Sequence, residues 1–328
     1  MVMTDGFGRN INYLRLSITD RCNLRCFYCT PVQGLVKLAH DEILRYEELL
    51  RLARLGARLG LSKLRVTGGE PLVRRGVAGF LQGLQGIPEV EEICLTTNGV
   101  RLPELAEALW AAGLRRLNVS LDSLQPQRYH QLTGGDFFFQ VWEGLQLAEA
   151  LGFAPIKINC VVMRGLNDDE LSAFARLSLE YPYHIRFIEY MPIGTQGQWH
   201  RRYYLSTEII QAYLKPLGKL EEIPPEAAAG PARRYRLPGA KGELGFISPI
   251  SQHFCPTCNR LRLTADGRLR PCLLSDQELD IKTPLRLGAS DAMLEEIFRT
   301  AIRRKPQRYP LGALESYDCH RPMASIGG

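Results

Sequence analysis

The chain has 328 residues, 45% hydrophobic and 23% charged, which is ordinary for a folded globular protein and long enough for a full barrel or two packed domains. Its apolar runs are broken by charge well short of a membrane span, and its N-terminus has no basic-then-apolar leader, so a cytoplasmic location without a membrane partner is expected. The net charge of +6 and pI of about 8.8 suit nucleic acid or a polyanionic small molecule equally, or simply a solvated basic surface, and nine cysteines without a secretion signal argue against a disulfide framework.

The first predicted strand is Tyr13–Thr19 (YLRLSIT), and Cys22, Cys26 and Cys29 follow it as C-x3-C-x2-C. Thiolates are soft ligands suited to iron–sulfur clusters and zinc. Structural zinc takes four protein ligands, and a four-iron cluster usually takes four cysteines. Three cysteines on one short loop therefore leave one iron open to a small molecule, with a zinc loop as the competing reading. Tyr28, between the last two cysteines, is placed to shield a cluster or pack against a bound cofactor. Helical periodicity covers Tyr46–Leu59, and Gly60 stands where a C-cap glycine belongs. The second strand, Lys63–Thr67, ends in Gly68-Gly69-Glu70-Pro71. Two glycines there permit close backbone approach, and Glu70 adds a carboxylate.

Further strands are predicted at Glu92–Thr96, Arg116–Leu121, Ile156–Val162 and Ile185–Tyr190. Helices are predicted at Leu102–Ala112 (closed by Gly113), Phe139–Leu151 and Asp168–Glu180, the last with Asn167 as N-cap and Glu170 at the capping-box position. Strand–helix units in series imply parallel strands with right-handed crossovers. No Gly-x-Gly-x-x-Gly turn follows the first strand, so a partial (βα)6 TIM-type barrel is preferred over a dinucleotide fold. Arg15, Arg65 and Lys157 alternate with apolar neighbours, as inward-facing residues around a ligand cavity would. Cys94 and Cys160 lie in apolar strands and read as buried thiols.

The alternation stops near Met191, and Lys219–Gly245 reads as a long loop or loose connector rich in Pro, Gly and Ala. The division is residues 1–218 for the barrel and 219–328 for a C-terminal region. That region carries a second triplet, Cys255-x2-Cys258-x13-Cys272, a helix over Asp291–Arg304, and a terminal Gly327-Gly328. A zinc site completed by His253 is one reading of the triplet. The other starts from Arg260 and Arg262, which share one face of an extended stretch. Two guanidiniums beside a cluster with an open iron suit an anionic ligand, phosphate above all.

The cysteine spacing, the aromatic before Cys29 and the GGEP turn resemble the radical S-adenosylmethionine superfamily. With the second triplet, the R-x-R pair and the double-glycine end, the chain resembles over essentially its whole length the GTP 3′,8-cyclase family of molybdenum cofactor biosynthesis (molybdopterin biosynthesis protein A). The resemblance implies two [4Fe–4S] clusters, one on Cys22, Cys26 and Cys29 and one on Cys255, Cys258 and Cys272 at the opposite mouth of the barrel. It implies S-adenosylmethionine against Tyr28, Gly69, Ser120 and Met191, and GTP against Arg15, Arg65, Thr96, Lys157, Arg260 and Arg262. Lys63 and Arg186 are further basic candidates near the triphosphate, and Gly327 and Gly328 match a tail reaching into the active site. The implied reaction is reductive cleavage of S-adenosylmethionine to a 5′-deoxyadenosyl radical. That radical takes the ribose 3′ hydrogen, and C8 attack then gives 3′,8-cyclo-7,8-dihydro-GTP. A homodimer, an electron donor and a downstream cyclic pyranopterin synthase are the implied partners, with no nucleic acid. Another two-cluster radical enzyme, acting on a peptide or tetrapyrrole, is the alternative.

Overall fold

A computed structural model describes residues 3–31, 34, 37–193, 200–225, 230–308 and 319–327. The chain opens with β1 (Tyr13–Ser17), α1 (Tyr46–Arg58), β2 (Lys63–Thr67), α2 (Val77–Gln85), β3 (Glu92–Thr97) and α3 (Leu102–Ala111). It continues through β4 (Arg116–Ser120), α4 (Pro126–Thr133), α5 (Phe138–Ala150), β5 (Ile156–Val162), α6 (Leu171–Glu180) and β6 (His184–Glu189). Then come α7 (Thr207–Leu214), β7 (Glu221–Ile223), β8 (Arg233–Arg236), β9 (Glu243–Ile247), β10 (Arg260–Leu263), β11 (Arg268–Arg270) and β12 (Leu279–Asp280). The last helices are α8 (Lys282–Arg286), α9 (Asp291–Arg303) and α10 (Met323–Ile326). No described helix is long and apolar enough to cross a membrane.

The first six strands are mutually parallel and neighbour one another in chain order. Period-two alternation explains why. Leu14, Leu16, Leu64, Val66, Leu117, Val119, Ile158, Ile185 and Phe187 are buried in the main core. The alternate positions Arg15, Arg65, Lys157 and Arg186 line an inner cavity. Because residues of β1–β6, β9 and β10 all line that cavity, the sheet curls around it as a partial barrel. Gly60 and Gly113 hold φ of +95° and +88° just beyond α1 and α3, where the helices stop.

The C-terminal region extends the same sheet at both sides. β9 pairs parallel with β6, and β10 pairs parallel with β1. These consecutive strands thus sit on opposite flanks of the six-strand series, and residues 248–259 join them across its open side. Glu189, fully buried at the end of β6, anchors this strap. Its carboxylate accepts from Ile250 N (2.9 Å), Ser251 N (3.0 Å) and Thr207 N (2.9 Å), and from the Ser251 hydroxyl. Glu189→Ala leaves the buried Thr207 amide and the part-buried Ile250 and Ser251 amides without this partner. The expected loss is on the order of 3 kcal/mol, read as a lowered thermal midpoint.

Three expectations need correction. The stretch 219–245 is not a loose connector: β7 and β8 form an antiparallel ladder continuing onto β9. Their residues are mostly charged, so no apolar alternation marks them. They are held by edge pairing and by Arg234, whose guanidinium grips Glu243 at 2.8 Å. Nor does the strand–helix alternation stop near Met191, because α7 follows β6. Asn167 and Glu170 do not form a capping box, and a 3-10 turn (Asp168–Glu170) precedes α6. The Asn167 amide instead bonds Met163 N, Asp122 O and Val161 O. Glu170 accepts from Ser123 Oγ and Leu124 N, fixing the loop after β4. Buried backbone groups of that loop compete for these side chains more strongly than the helix end does.

Candidate active site

Topology places the two cysteine triplets at opposite ends of one cavity. Cys22, Cys26 and Cys29 follow β1, at the C-terminal ends of the parallel strands, where barrel active sites form. Cys255 and Cys258 precede β10, at the other end. β11 is antiparallel to β10, so Cys272, just past β11, returns to that same end. All six cysteines are free thiols and line the cavity, whose volume is about 320 Å³.

At the first end, close backbone contact builds the loop. A Cβ on Gly69 would stand 2.5 Å from the Arg21 carbonyl oxygen, and one on Gly68 2.7 Å from that of Thr19. Gly69 N and Glu70 N donate to those carbonyls, Thr19 O and Arg21 O, both at 2.7 Å. The glycines of the GGEP turn thus let it lie flat on the cysteine loop. The Glu70 side chain accepts from Leu72 N, Thr97 Oγ1 and Asn98 N at 2.6–2.9 Å. Asn98 in turn reaches Asn23 Oδ1 (2.8 Å) beside Cys22. Tyr28 donates to Asp122 Oδ2 at 2.6 Å, and Asp122 Oδ1 accepts from Val161 N. Burial raises Glu70 to about 7 and Asp122 to about 6. Burial also pushes the Cys22 thiol to about 11 and the Cys29 thiol to about 12. Gly69, Ser120 and Met191 line the same end of the chamber.

The wall between the triplets is cationic. Arg15, Lys63, Arg65, Lys157, Arg186, Arg260 and Arg262 all face the cavity, with Thr96 among them. Burial, reinforced by like charges nearby, lowers Arg15 and Arg186 to about 10 and Lys157 to about 7. Arg262 is pushed well below its usual range by burial and by Arg15. Lys63 is partly neutralised by Glu92 at 2.6 Å. Arg65 Nη1 reaches Thr96 Oγ1 at 3.4 Å. The cavity-lining Arg65 Nε and Asn159 Oδ1 atoms are buried without a protein partner. Such atoms call for a polar ligand.

At the second end the Arg260 guanidinium lies over the Phe254 ring (4.8 Å) and reaches Cys258 Sγ (3.6 Å). Burial opposes ionisation of the Cys258 thiol, but Arg260 and Lys305 outweigh it and bring the group down to about 6. The tail lies between the ends. Met323 and Ala324 line the cavity, and the Gly327 carbonyl accepts from Arg262 Nη1 at 2.6 Å. Gly327 has φ +75°, and a Cβ there would stand 2.9 Å from Ser17 Cβ. Gly328 lies outside the described residues.

The cavity therefore gathers every candidate site residue that the sequence singled out, Gly327 and Gly328 aside. Gly327 reaches Arg262 at its edge. Sequence reading missed Asp122, Asn98 and Lys305, and also Arg9, which lies outside the cavity and donates to the Cys255 carbonyl at 2.8 Å. Asp122 could have been flagged as a carboxylate two residues past the inward-facing Ser120. Lys305 and Arg9 belong to no spacing pattern and carry no such signal.

The donor set suits clusters better than single ions. Among the described residues, no three His, Cys, Asp or Glu side chains converge closely enough to hold one metal ion. A four-iron cluster does not ask for that, since each thiolate binds its own iron.

Comparison with known proteins agrees with this geometry. Residues 16–178 match the Radical SAM superfamily and residues 183–311 match Molybdenum Cofactor Synthesis C. The GTP 3′,8-cyclase of Heliobacterium modesticaldum is 49% identical, covering 99% of this chain and all of that protein. Those of Moorella thermoacetica and Thermodesulfovibrio yellowstonii are 50% and 48% identical with the same coverage. Among solved structures, Streptococcus suis SuiB bound to precursor peptide SuiA superposes with a TM-score of 0.61 at 12% identity. It covers 96% of this chain and 68% of its own, and shows a shared fold alone. Membership of the superfamily implies S-adenosylmethionine and a [4Fe–4S] cluster. From full-length identity near one half, the chain belongs to the GTP 3′,8-cyclase family of the radical SAM superfamily.

Proposed function

We propose that this chain is a GTP 3′,8-cyclase catalysing the first step of molybdenum cofactor biosynthesis. One observation carries the reading: two cysteine triplets close opposite ends of a single cavity whose wall between them is lined by cations. Cys22, Cys26 and Cys29 hold the first [4Fe–4S] cluster, and Tyr28, Gly69, Ser120 and Met191 surround S-adenosylmethionine. Cys255, Cys258 and Cys272, in the 219–328 region, would hold a second [4Fe–4S] cluster at the end of the cavity that takes the guanine base. Bound there, the first cluster and its cofactor supply a 5′-deoxyadenosyl radical able to take the ribose 3′ hydrogen.

The protein's own task is placement. Arg15, Arg65, Thr96, Lys157, Arg260 and Arg262 hold the nucleotide, and Lys63 and Arg186 extend the cationic wall along its triphosphate. With the base fixed at one end and the radical source at the other, the ribose lies between them. There C8 is within reach of C3′; once the C3′–C8 bond has formed, one electron from the donor and one proton would give 3′,8-cyclo-7,8-dihydro-GTP. A homodimer, a one-electron donor and a downstream cyclic pyranopterin synthase complete the reading, in the cytoplasm.

Anaerobic reconstitution tests it. About eight irons per chain are expected, in two four-iron clusters. Reductant and S-adenosylmethionine should then release 5′-deoxyadenosine in a GTP-dependent way. Colourless protein with stoichiometric zinc, or release indifferent to GTP, would sink the reading.

A further inference from the structure

Two buried cations hold the backbone beside all three cysteines of the second triplet. Arg9 and Lys305 are only 7% and 3% exposed. Arg9 Nη1 donates to the Cys255 carbonyl at 2.8 Å, and its Nη2 donates to that of Pro306 at 2.7 Å. Lys305 Nζ donates to the carbonyl of Arg260, two residues past Cys258, and to that of Pro271, just before Cys272, both at 2.8 Å. Asp5 fixes the Arg9 guanidinium from behind, through Nε at 2.6 Å. The segment 305–307 is common to both arms: it supplies the Lys305 ammonium and the Pro306 and Gln307 carbonyls that Arg9 grips. Segments from the N-terminus, the strap, β10 and the end of β11 are thereby tied together at one point.

Carbonyl groups alone offset a buried ammonium poorly. Three thiolates carrying an iron–sulfur cluster would supply the missing negative charge, and groups that fix the ligands' backbone govern how tightly a metal centre is held. We infer that Arg9, neutralised by its buried ion pair with Asp5, and Lys305 form a clamp that holds the second triplet around its cluster, and that the Lys305 ammonium offsets the cluster's charge. The inference rests on reading that triplet as a cluster site. Both are read as positioning residues: Arg9 lies outside the cavity, and Lys305 lines it but its ammonium is turned onto the Arg260 and Pro271 carbonyls.

The test compares reconstituted wild-type holoenzyme with Lys305→Met and Lys305→Arg. The readouts are cluster loss to an iron chelator, followed by electron paramagnetic resonance, and the midpoint potential of the second cluster. Lys305→Met should weaken iron retention at the second cluster on the order of 10-fold, with the first cluster unaffected. Its second cluster should reduce at a more negative potential, because a neighbouring positive charge is gone. Lys305→Arg should recover most of both. Wild-type retention and potential in Lys305→Met would overturn the clamp. Should Lys305→Met lose both clusters, Arg9→Met takes its place: selective weakening of the second cluster supports the clamp, and unchanged retention overturns it. A wild-type enzyme with one cluster would instead overturn the two-cluster reading itself.

Discussion

Removing Gly327 and Gly328 should lower turnover on the order of 10²- to 10³-fold, the range seen when one preorganised active-site contact is lost. Iron content and GTP affinity should stay near wild type. The tail enters the cavity between the cysteine triplets, and the Gly327 carbonyl is fixed by Arg262 at 2.6 Å. Only glycine suits this position, where φ is +75° and a side chain would press on Ser17 and Thr67. Gly327→Ala should therefore reproduce part of the defect. Single-turnover formation of 5′-deoxyadenosine and of cyclised product, beside iron analysis and GTP titration, separates these outcomes. Wild-type turnover in the truncated chain would mean that the tail is mere packing.

Binding of GTP should draw a proton onto Lys157. In the free cavity, burial and the nearby Arg186 hold this ammonium at about 7, so it is largely neutral above that pH. A triphosphate alongside favours the charged form and raises the value again. Affinity should then be fully present below about pH 7 and decline as pH rises from there, by up to about tenfold per unit, until the bound-state value is reached. Calorimetry at about pH 8 in two buffers of different ionisation enthalpy should report fractional proton uptake. Lys157→Met should bind on the order of tenfold more weakly near neutrality and abolish both the uptake and the slope, by loss of a charge-assisted hydrogen bond. Binding without proton exchange would place the triphosphate away from Lys157.

The sequence made the barrel and its lining legible for one reason. A strand that packs helices on one face and a polar cavity on the other must alternate, as Leu14-Arg15-Leu16 and Leu64-Arg65-Val66 do. The triplets were legible because ligands on a short loop have fixed spacings. The β7–β8 ladder escaped notice because its residues are mostly charged and Tyr235 packs on the core without a run of apolar alternation around it. Asn167 was misplaced because a helix-cap pattern cannot show that a buried loop competes for the same amide. Arg9 and Lys305 act through backbone carbonyls distant in sequence, and nothing local to either residue announces that.

Tyr13 of β1 is paired with Arg260 of β10, and His184 of β6 with Glu243 of β9. During synthesis both flanks of the six-strand series thus emerge long before the strands that cover them. At roughly 5–20 residues per second, the β1 edge waits on the order of ten seconds or more for its partner. A bare parallel edge is a template for pairing with other chains. A nascent chain caught in this interval, or a fragment ending at residue 218, carries two such edges. The first cysteine triplet likewise emerges well before the second.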